Sequence, residues 1–300
     1  GFVELGELPE SGNPTVTEVI IRQTSRGGSF VAAYPFSTST RVEFSGGGRA
    51  LSFTRHDRTR IFSAETGEFL ERRDTRQDLY EPLYLAEASA AFVRDTSFYG
   101  ATGPIYGERY RFELLQSFGS LTYSTVLADW RRYVMPVRPV TLAVRGLHVG
   151  RYGRDAENER LLGFELGYPE LVHGYSIGSL ATNECAGLAR AECLAVDSLV
   201  GSRLLVANVE VRAPLFGLFR GDVTYGPVPI EVAGFFDAGV AWTRATGPSF
   251  AGGTRDWVRS VGAAARLNAF GLLIIEVAAS KPLDRLDRSW QWQVGIRQGF

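Results

Sequence analysis

Apolar residues recur at every second position along most of this chain, and helical spacing is hard to find. The alternation covers residues 109–114, 205–212 and 260–269. It is clearest in the last segment, 289–297, where one face carries Trp290, Trp292, Val294 and Ile296. A period of two predicts β-strands that each have one apolar face.

The polar faces of these predicted strands carry Gly, Ala, Arg, Glu and Asn, and the chain has one lysine, Lys281. Small residues mixed with Arg and Glu are typical of a barrel interior, where charges pair across the lumen. The apolar faces would then contact lipid. An interfacial girdle of aromatic residues is predicted near the strand ends: Tyr133, Trp242, Trp257, Trp290 and Phe300. The alternative is a soluble β-sandwich with its apolar faces turned inward.

The alternation predicts an all-β fold, an antiparallel transmembrane β-barrel domain over residues 1–300. Long links are predicted at 63–82, 153–199 and 243–255, and short turns at 36–40, 135–139 and 270–271. Outer-membrane barrels have short periplasmic turns and long external loops, so the links 153–199 and 243–255 fall outside if the C-terminus is periplasmic. Eleven strands are predicted, at 15–34, 41–62, 83–96, 107–119, 120–134, 140–152, 200–214, 227–242, 256–268, 272–283 and 289–300.

Bacterial single-chain barrels close with an even number of strands, which eleven does not satisfy. Either N-terminal strands and any periplasmic domain lie outside this sequence, or the segment 15–34 is miscounted. The chain opens with Gly1 and shows no signal peptide, so it is expected to be a processed or truncated piece.

Composition narrows the class of protein further. The 300 residues have a net charge of −1 and are 45% apolar. This composition excludes a disordered chain, and it also excludes a broadly basic nucleic-acid binder. No run of eighteen apolar residues occurs, so no transmembrane helix is predicted.

Four motifs occur in a fixed order. Residues 171–176, LVHGYS, resemble a V-R-G-[FY] loop motif, and 208–215, NVEVRAPL, resemble an N-x-E-x-R-x-P-L strand. Residues 235–239, FFDAG, resemble F-x-D-x-G, and 259–262, RSVG, resemble R-x-S-x-G. Together with a C-terminal Phe300, they resemble the bacterial surface antigen family, the outer-membrane assembly-factor superfamily with a BamA-type barrel. The segment 83–152 is similar to a subgroup in which a TolB-like propeller precedes the barrel.

The resemblance implies a sixteen-strand barrel, of which this chain would supply the last eleven or twelve strands. It also implies that the loop 153–199 folds back into the lumen, where its motif arginine contacts the acidic residue of F-x-D-x-G. By position, the loop-anchoring residues would be Val172, His173, Gly174, Tyr175, Asp237 and Gly239.

This sequence departs from the loop motif because histidine replaces arginine at His173. Arginine is permanently charged, whereas an unperturbed histidine is mostly neutral near pH 7. A weaker or pH-dependent anchor is therefore expected. The alternative is an ordinary loop histidine without a partner.

Asn208, Glu210 and Arg212 are predicted to form a polar network in the lumen. A glycosidase-type pair of carboxylates is the alternative for the acidic residues on the predicted strands, and salt bridges are the interpretation preferred here. The last strand resembles the family's C-terminal signal through Gly295, Ile296 and Phe300. Gln298 departs from that signal, and Phe300 could instead serve only as an interfacial anchor.

Cys185 and Cys193 both fall in the loop 153–199 and predict a disulfide, with two free thiols as the alternative. No metal site, cofactor or catalytic motif is predicted, so an enzyme is not expected. His56 and His148 stand alone in the sequence, and structural or surface roles are expected for them.

The resemblance implies insertion or export of proteins at the bacterial outer membrane through a lateral seam, with Gly295 and Gly299 weakening the last strand. The expected partners are outer-membrane lipid, unfolded or exported polypeptides, and a periplasmic domain or lipoprotein. One alternative is a passive membrane anchor or pore for a periplasmic domain. The other is a structural or adhesive surface protein that displays the loop 153–199.

Overall fold

A computed structural model describes residues 2–7, 12–176, 179–180, 184, 194–285 and 289–298. The strands are β1 (Phe2–Glu7), β2 (Pro14–Pro35), β3 (Thr40–Phe62), β4 (Phe69–Asp95), β5 (Phe98–Tyr99), β6 (Pro104–Gly119), β7 (Tyr123–Val137), β8 (Val140–Tyr152), β9 (Phe164–Glu165), β10 (Val200–Gly201), β11 (Arg203–Pro214), β12 (Ile230–Trp242), β13 (Val258–Ala269), β14 (Leu273–Pro282) and β15 (Gln291–Gln298). The helices are α1 (Leu194–Asp197) and α2 (Leu215–Arg220), with a 3-10 turn at Ser249–Ala251.

Twelve strands form one antiparallel sheet. Their order is β1-β2-β3-β4-β6-β7-β8-β11-β12-β13-β14-β15, with β5 paired to β6, while β9 and β10 form a separate two-stranded sheet. Apart from β5, β9 and β10, strands that follow one another in the chain are therefore neighbours, as in the wall of an up-and-down barrel. The all-β antiparallel fold predicted from the alternation is confirmed.

The two faces of the sheet have the polarity of a membrane barrel. On β11, Val209 and Val211 are exposed, whereas the inward Arg212 is 7% exposed. Strands β12 and β14 of the same sheet bury Glu231 and Glu276 on this inner side, at 1% and 4% exposure. A soluble sheet buries its apolar side chains and exposes its charges. The β-sandwich alternative is therefore wrong.

The strand count and one boundary differ from the sequence predictions. β1 pairs with β2, from Phe2 opposite Val19 to Glu7 opposite Pro14, so the sheet has twelve strands rather than eleven within the described residues. The predicted link 63–82 is mostly strand, because β4 begins at Phe69 and only the turn 63–68 remains. The segment 69–82 escaped prediction because charged residues lie on both of its faces, so it shows no apolar alternation.

The chain divides into two compact units, and the first comprises residues 1–30, 45–88 and 117–122. Its buried side chains include Val19, Leu51, Phe53, Ile61, Leu83 and Leu85. Ser120 closes the β6–β7 turn onto β4, since its backbone N–H donates to the Tyr84 carbonyl at 2.9 Å.

The second unit comprises residues 31–44, 89–116 and 123–300 and contains the candidate site. Its main apolar cluster joins the loop 153–199 to the strands beneath it. The cluster consists of Leu147, Leu166, Val172, Tyr175, Leu199, Leu204, Val206, Ala241 and Val258. Burial of this cluster holds the loop against the inner face of the sheet.

Candidate functional site

The site is built where the loop 153–199 crosses the inner face of β11, β12, β13 and β14. The loop is closed at its base by β9 and β10, whose register places Phe164 opposite Gly201. The backbone N–H of Leu166 donates to the carbonyl of Leu199 at 2.9 Å. Beyond this closed base, residues 171–176 extend over the inner face of the strands.

His173 contacts three residues on the wall, the inner face formed by β11 to β14: Asp237, Phe235 and Glu276. Its Nδ1 lies 2.7 Å from Asp237 Oδ2, and its backbone N–H donates to the same oxygen at 3.2 Å. The ring stacks on Phe235 with centroids 4.2 Å apart. Its Nε2 lies 3.9 Å from Glu276 Oε1. The imidazole therefore bridges a carboxylate on β12 and a carboxylate on β14.

Asp237 collects donors from three elements of the fold. Besides His173, Asn208 on β11 donates from Nδ2 to Oδ1 at 2.7 Å, and Ser260 on β13 donates from its hydroxyl at 3.4 Å. The Asn208 amide also donates to the carbonyl of Leu171 at 2.8 Å. Asp237 thus ties the loop to two neighbouring strands.

The loop motif also contacts the wall through Tyr175, Gly174 and Val172. The Tyr175 hydroxyl donates to the carbonyl of Arg259 at 2.8 Å. Gly174 has a φ of 81°, and a Cβ there would lie 3.1 Å from Ser280 Oγ. The left-handed conformation and the close strand both favour glycine.

Burial and charge act in opposite directions on the His173 imidazole. Burial lowers its pKa, but the hydrogen bond to Asp237 and the nearby Glu276 carboxylate raise it more, and the resulting pKa is about 9. The histidine is therefore positively charged at pH 7 and carries the charge that the motif arginine would supply. This differs from the expectation of a mostly neutral histidine, because two carboxylates face one ring.

The raised pKa predicts that anchoring of the loop weakens at alkaline pH. A folded-state pKa above the unfolded value of 6.5 stabilises the folded protein fully below pH 6.5, and this stabilisation is lost as the pH rises through 9. The full contribution is about 3 kcal/mol at most. Limited proteolysis of the loop between pH 7 and pH 10 measures the loss. His173→Arg, which cannot deprotonate in this range, should remain protected throughout, and equal curves for both proteins would contradict the prediction.

Gly239 sets how closely the loop approaches β12. A Cβ added there would lie 2.7 Å from Val172 Cγ2 and 2.9 Å from Leu166 Cδ2. Gly239→Val should therefore displace the loop, at a cost of about 1–3 kcal/mol for an overpacked contact. Faster cleavage of the loop by trypsin is the expected result. Gly146→Ala is the control, because its added Cβ would meet nothing within 4 Å.

A network of charges continues from the anchor along the inner face. Arg266 donates to Glu210 at 2.5 and 2.6 Å and to Glu276 at 2.5 Å. Its Nη1 also lies 3.4 Å from Glu231 Oε1. Arg212 donates to Glu210 at 3.2 Å and to the carbonyl of Pro104. One arginine, Arg266, thus holds three carboxylates.

The predicted network residues Asn208, Glu210 and Arg212 therefore lie on one face, together with Arg266 and Glu276. Glu210 is fully engaged by two arginines, which favours the salt-bridge interpretation over a pair of catalytic carboxylates. A cavity of about 210 Å³ lies beside these groups, and His173, Glu210, Arg212, Asp237 and Arg266 contribute to its lining. The arginines and carboxylates of this network hold one another at fixed positions on the inner face.

A second anchor of the loop has no counterpart in the sequence predictions. Arg285, in the link between β14 and β15, donates to Glu184 at 2.9 and 2.5 Å. It also donates to the carbonyl of Gly174 at 2.7 Å and to Ser179 Oγ at 2.9 Å. A single arginine in a link has no periodicity that would indicate its partner 101 residues away.

The remaining predicted residues are placed as follows. Gly295 and Ile296 lie in β15, and Ile296 is 68% exposed. Phe300, Cys185 and Cys193 lie outside the described residues, so the signal residue and the disulfide stay predictions. His148 contacts the carbonyl of Leu204 through Nδ1 at 2.8 Å and the hydroxyl of Tyr152 through Nε2 at 2.8 Å. His56 is partly buried, with its Nε2 3.3 Å from Thr54 Oγ1.

The helical elements within the described residues include α1, α2 and the 3-10 turn. None of the helices there is long and apolar enough to cross a membrane. No group of three or more His, Cys, Asp or Glu side chains in the same part of the chain could hold a metal ion.

Comparison with known proteins gives a family and a fold. The model of the Omp85 superfamily domain matches residues 106–298. The crystal structure of BamA from Haemophilus ducreyi lacking POTRA domains 1–3 is similar in fold, with a TM-score of 0.52 and 12% sequence identity. The match covers 95% of this chain and 62% of that one, so this chain spans less than two thirds of its structural relative. No curated protein sequence matches. A preceding TolB-like propeller stays a prediction.

Proposed function

This chain belongs to the Omp85 superfamily and lies in the bacterial outer membrane, and from that premise we propose that it inserts or exports polypeptides through a lateral seam beside β15. The residues of the loop anchor hold the loop in place and have no catalytic role. The clients are unfolded or exported polypeptides, and a periplasmic domain or lipoprotein delivers them.

The observation that carries the proposal is the position of β15 relative to the anchored loop. β15 ends the order of strands, after β12, β13 and β14, which hold the loop. Its outward Trp292, Val294 and Ile296 are 74%, 73% and 68% exposed. A strand at the end of a sheet offers backbone N–H and C=O groups to an incoming strand.

Site-specific photocrosslinking tests the proposal with a matched control. A photoreactive residue replaces Val294 on β15 or Val209 on β11, since both face outward but β11 is paired on both edges. The protein in its native outer membrane is then supplied with a radiolabelled β-barrel client during synthesis. Crosslinks from position 294 and none from position 209 are expected.

Two outcomes would overturn the proposal. Equal crosslinking at both positions would mean contact with a passing client rather than pairing at a seam. No crosslinking at either position, with unchanged assembly of outer-membrane proteins after depletion of this protein, would favour a passive anchor, a pore or a surface protein.

A further inference from the structure

Three charged side chains form a compact group on the outer face of the sheet. On β6, Glu108 Oε1 lies 3.3 Å from Arg94 Nε on β4. Glu108 Oε2 accepts a hydrogen bond from Arg132 Nη1 on β7 at 2.8 Å. Two guanidinium groups share one carboxylate, so the group carries one uncompensated positive charge. This charged triad takes no part in the loop anchor.

The triad belongs to the lipid-facing side of the sheet. Alternation along each strand places Arg94 on the same face as Phe92 and Arg132 on the same face as Trp130. These two aromatic residues are 39% and 40% exposed, whereas Tyr133, on the opposite face of β7, is 7% exposed and lines the inner cavity.

The triad marks one edge of an apolar band on that side. Going along β6 from Glu108, the outward residues Tyr110, Phe112 and Leu114 are followed by Gln116, which accepts from Ser124 at 2.6 Å. The eight residue steps from 108 to 116 span about 27 Å of strand, or roughly 21 Å across a membrane at a tilt of about 40°. Outer-membrane barrels have an apolar band about 25 Å tall.

The end of the band that carries the triad is the periplasmic one. Arg132 lies near the end of β7 that leads through a short turn into β8, where Val137 pairs with Val140. The other end of β8 leads into the long loop 153–199. Short turns are periplasmic and long loops are external in these barrels. The triad therefore lies at the height of the headgroups of the periplasmic leaflet.

We propose that the charged triad is a binding site for an anionic phospholipid of the periplasmic leaflet. The lipid phosphate would accept hydrogen bonds from Arg94 and Arg132, whose donors suit phosphate oxygens. Its acyl chains would lie against Phe92 and Trp130. A net positive group favours an anionic headgroup over a zwitterionic one, and one basic side chain changes such binding by about fivefold.

Native mass spectrometry of the full chain in detergent tests the site. The protein is titrated with phosphatidylglycerol or with phosphatidylcholine of the same acyl chains. We expect the first phosphatidylglycerol to bind about fivefold more tightly than phosphatidylcholine, and Arg94→Gln and Arg132→Gln each to remove about fivefold of that affinity. Glu108→Gln should bind phosphatidylglycerol more tightly, because it leaves both arginines without their carboxylate.

Arg138→Gln is the matched control, because Arg138 is an exposed cation in the turn at the same end of the barrel. It should bind phosphatidylglycerol as the unsubstituted protein does. An equal loss in this variant would overturn the site, since general attraction would then explain the binding. Equal affinity for both lipids, or unchanged affinity after loss of either arginine, would also overturn it.

Discussion

Asp237→Ala should release the loop 153–199 from the wall and lower the free energy of unfolding by about 3–5 kcal/mol. The carboxylate accepts from His173, Asn208 and Ser260 in a site where Asp237 itself is 2% exposed. Its removal leaves a buried imidazolium and an amide without their main acceptor. Stripping one partner from a buried ion pair costs far more than the pair contributes as a whole.

Thermal unfolding in detergent and trypsin cleavage of the loop measure this effect. Asp74→Ala is the control, since it removes an exposed carboxylate whose partner is the exposed Arg72, and little change is expected. A double variant, Asp237→Ala with His173→Leu, should be more stable than Asp237→Ala alone because no buried charge remains. Strictly additive losses in the double variant would contradict the ion-pair explanation.

Arg266→Met should destabilise the barrel wall by more than about 3 kcal/mol. Glu210, Glu231 and Glu276 lie around one guanidinium, and all three carboxylates would then face one another at low dielectric. Arg212 remains near Glu210 and Glu231, at 3.2 and 4.0 Å, and compensates only part of the charge. Urea unfolding of the protein in lipid vesicles measures the change.

Arg131→Met provides the matched control on the same face. Asp129 accepts from both Arg131 and Arg145, at 2.6 and 3.0 Å, so loss of Arg131 leaves the carboxylate paired. A much smaller effect is therefore expected. Adding Glu276→Gln to Arg266→Met should restore part of the stability by removing one repelling charge, and a further loss would show that packing rather than charge dominates.

Alternation predicted the strands because a membrane barrel forces each spanning strand to separate apolar from polar side chains. Residues 205–212 illustrate this: Val209 and Val211 face outward, and Glu210 and Arg212 face inward. The alternation of apolar and polar side chains is not required in segments where neither face contacts lipid. Both failures, β1 and the first half of β4, fall outside the regular alternation.

The candidate site was predictable only where a motif carried it. The pairing of His173 with Asp237 follows from two motifs of the resembled family, which fix a contact between residues 64 positions apart. Arg266 lies on the polar face of its strand, but alternation gives a face and no partner. Arg285 and Glu184 lie in links, where neither periodicity nor a motif applies, and only the folded chain brings them together.

The two-point attachment of the loop also orders the events of folding. Asp237, Glu276 and Arg285 come after the loop in the chain, on β12, on β14 and in the link before β15. The loop therefore has no complete receptor until the polypeptide through Arg285 has been synthesised and β12 to β14 have paired. Contacts of such high sequence separation are slow to form, because loop-closure entropy opposes them. Docking of the loop is thus a late step that depends on completion of the wall formed by β12 to β14.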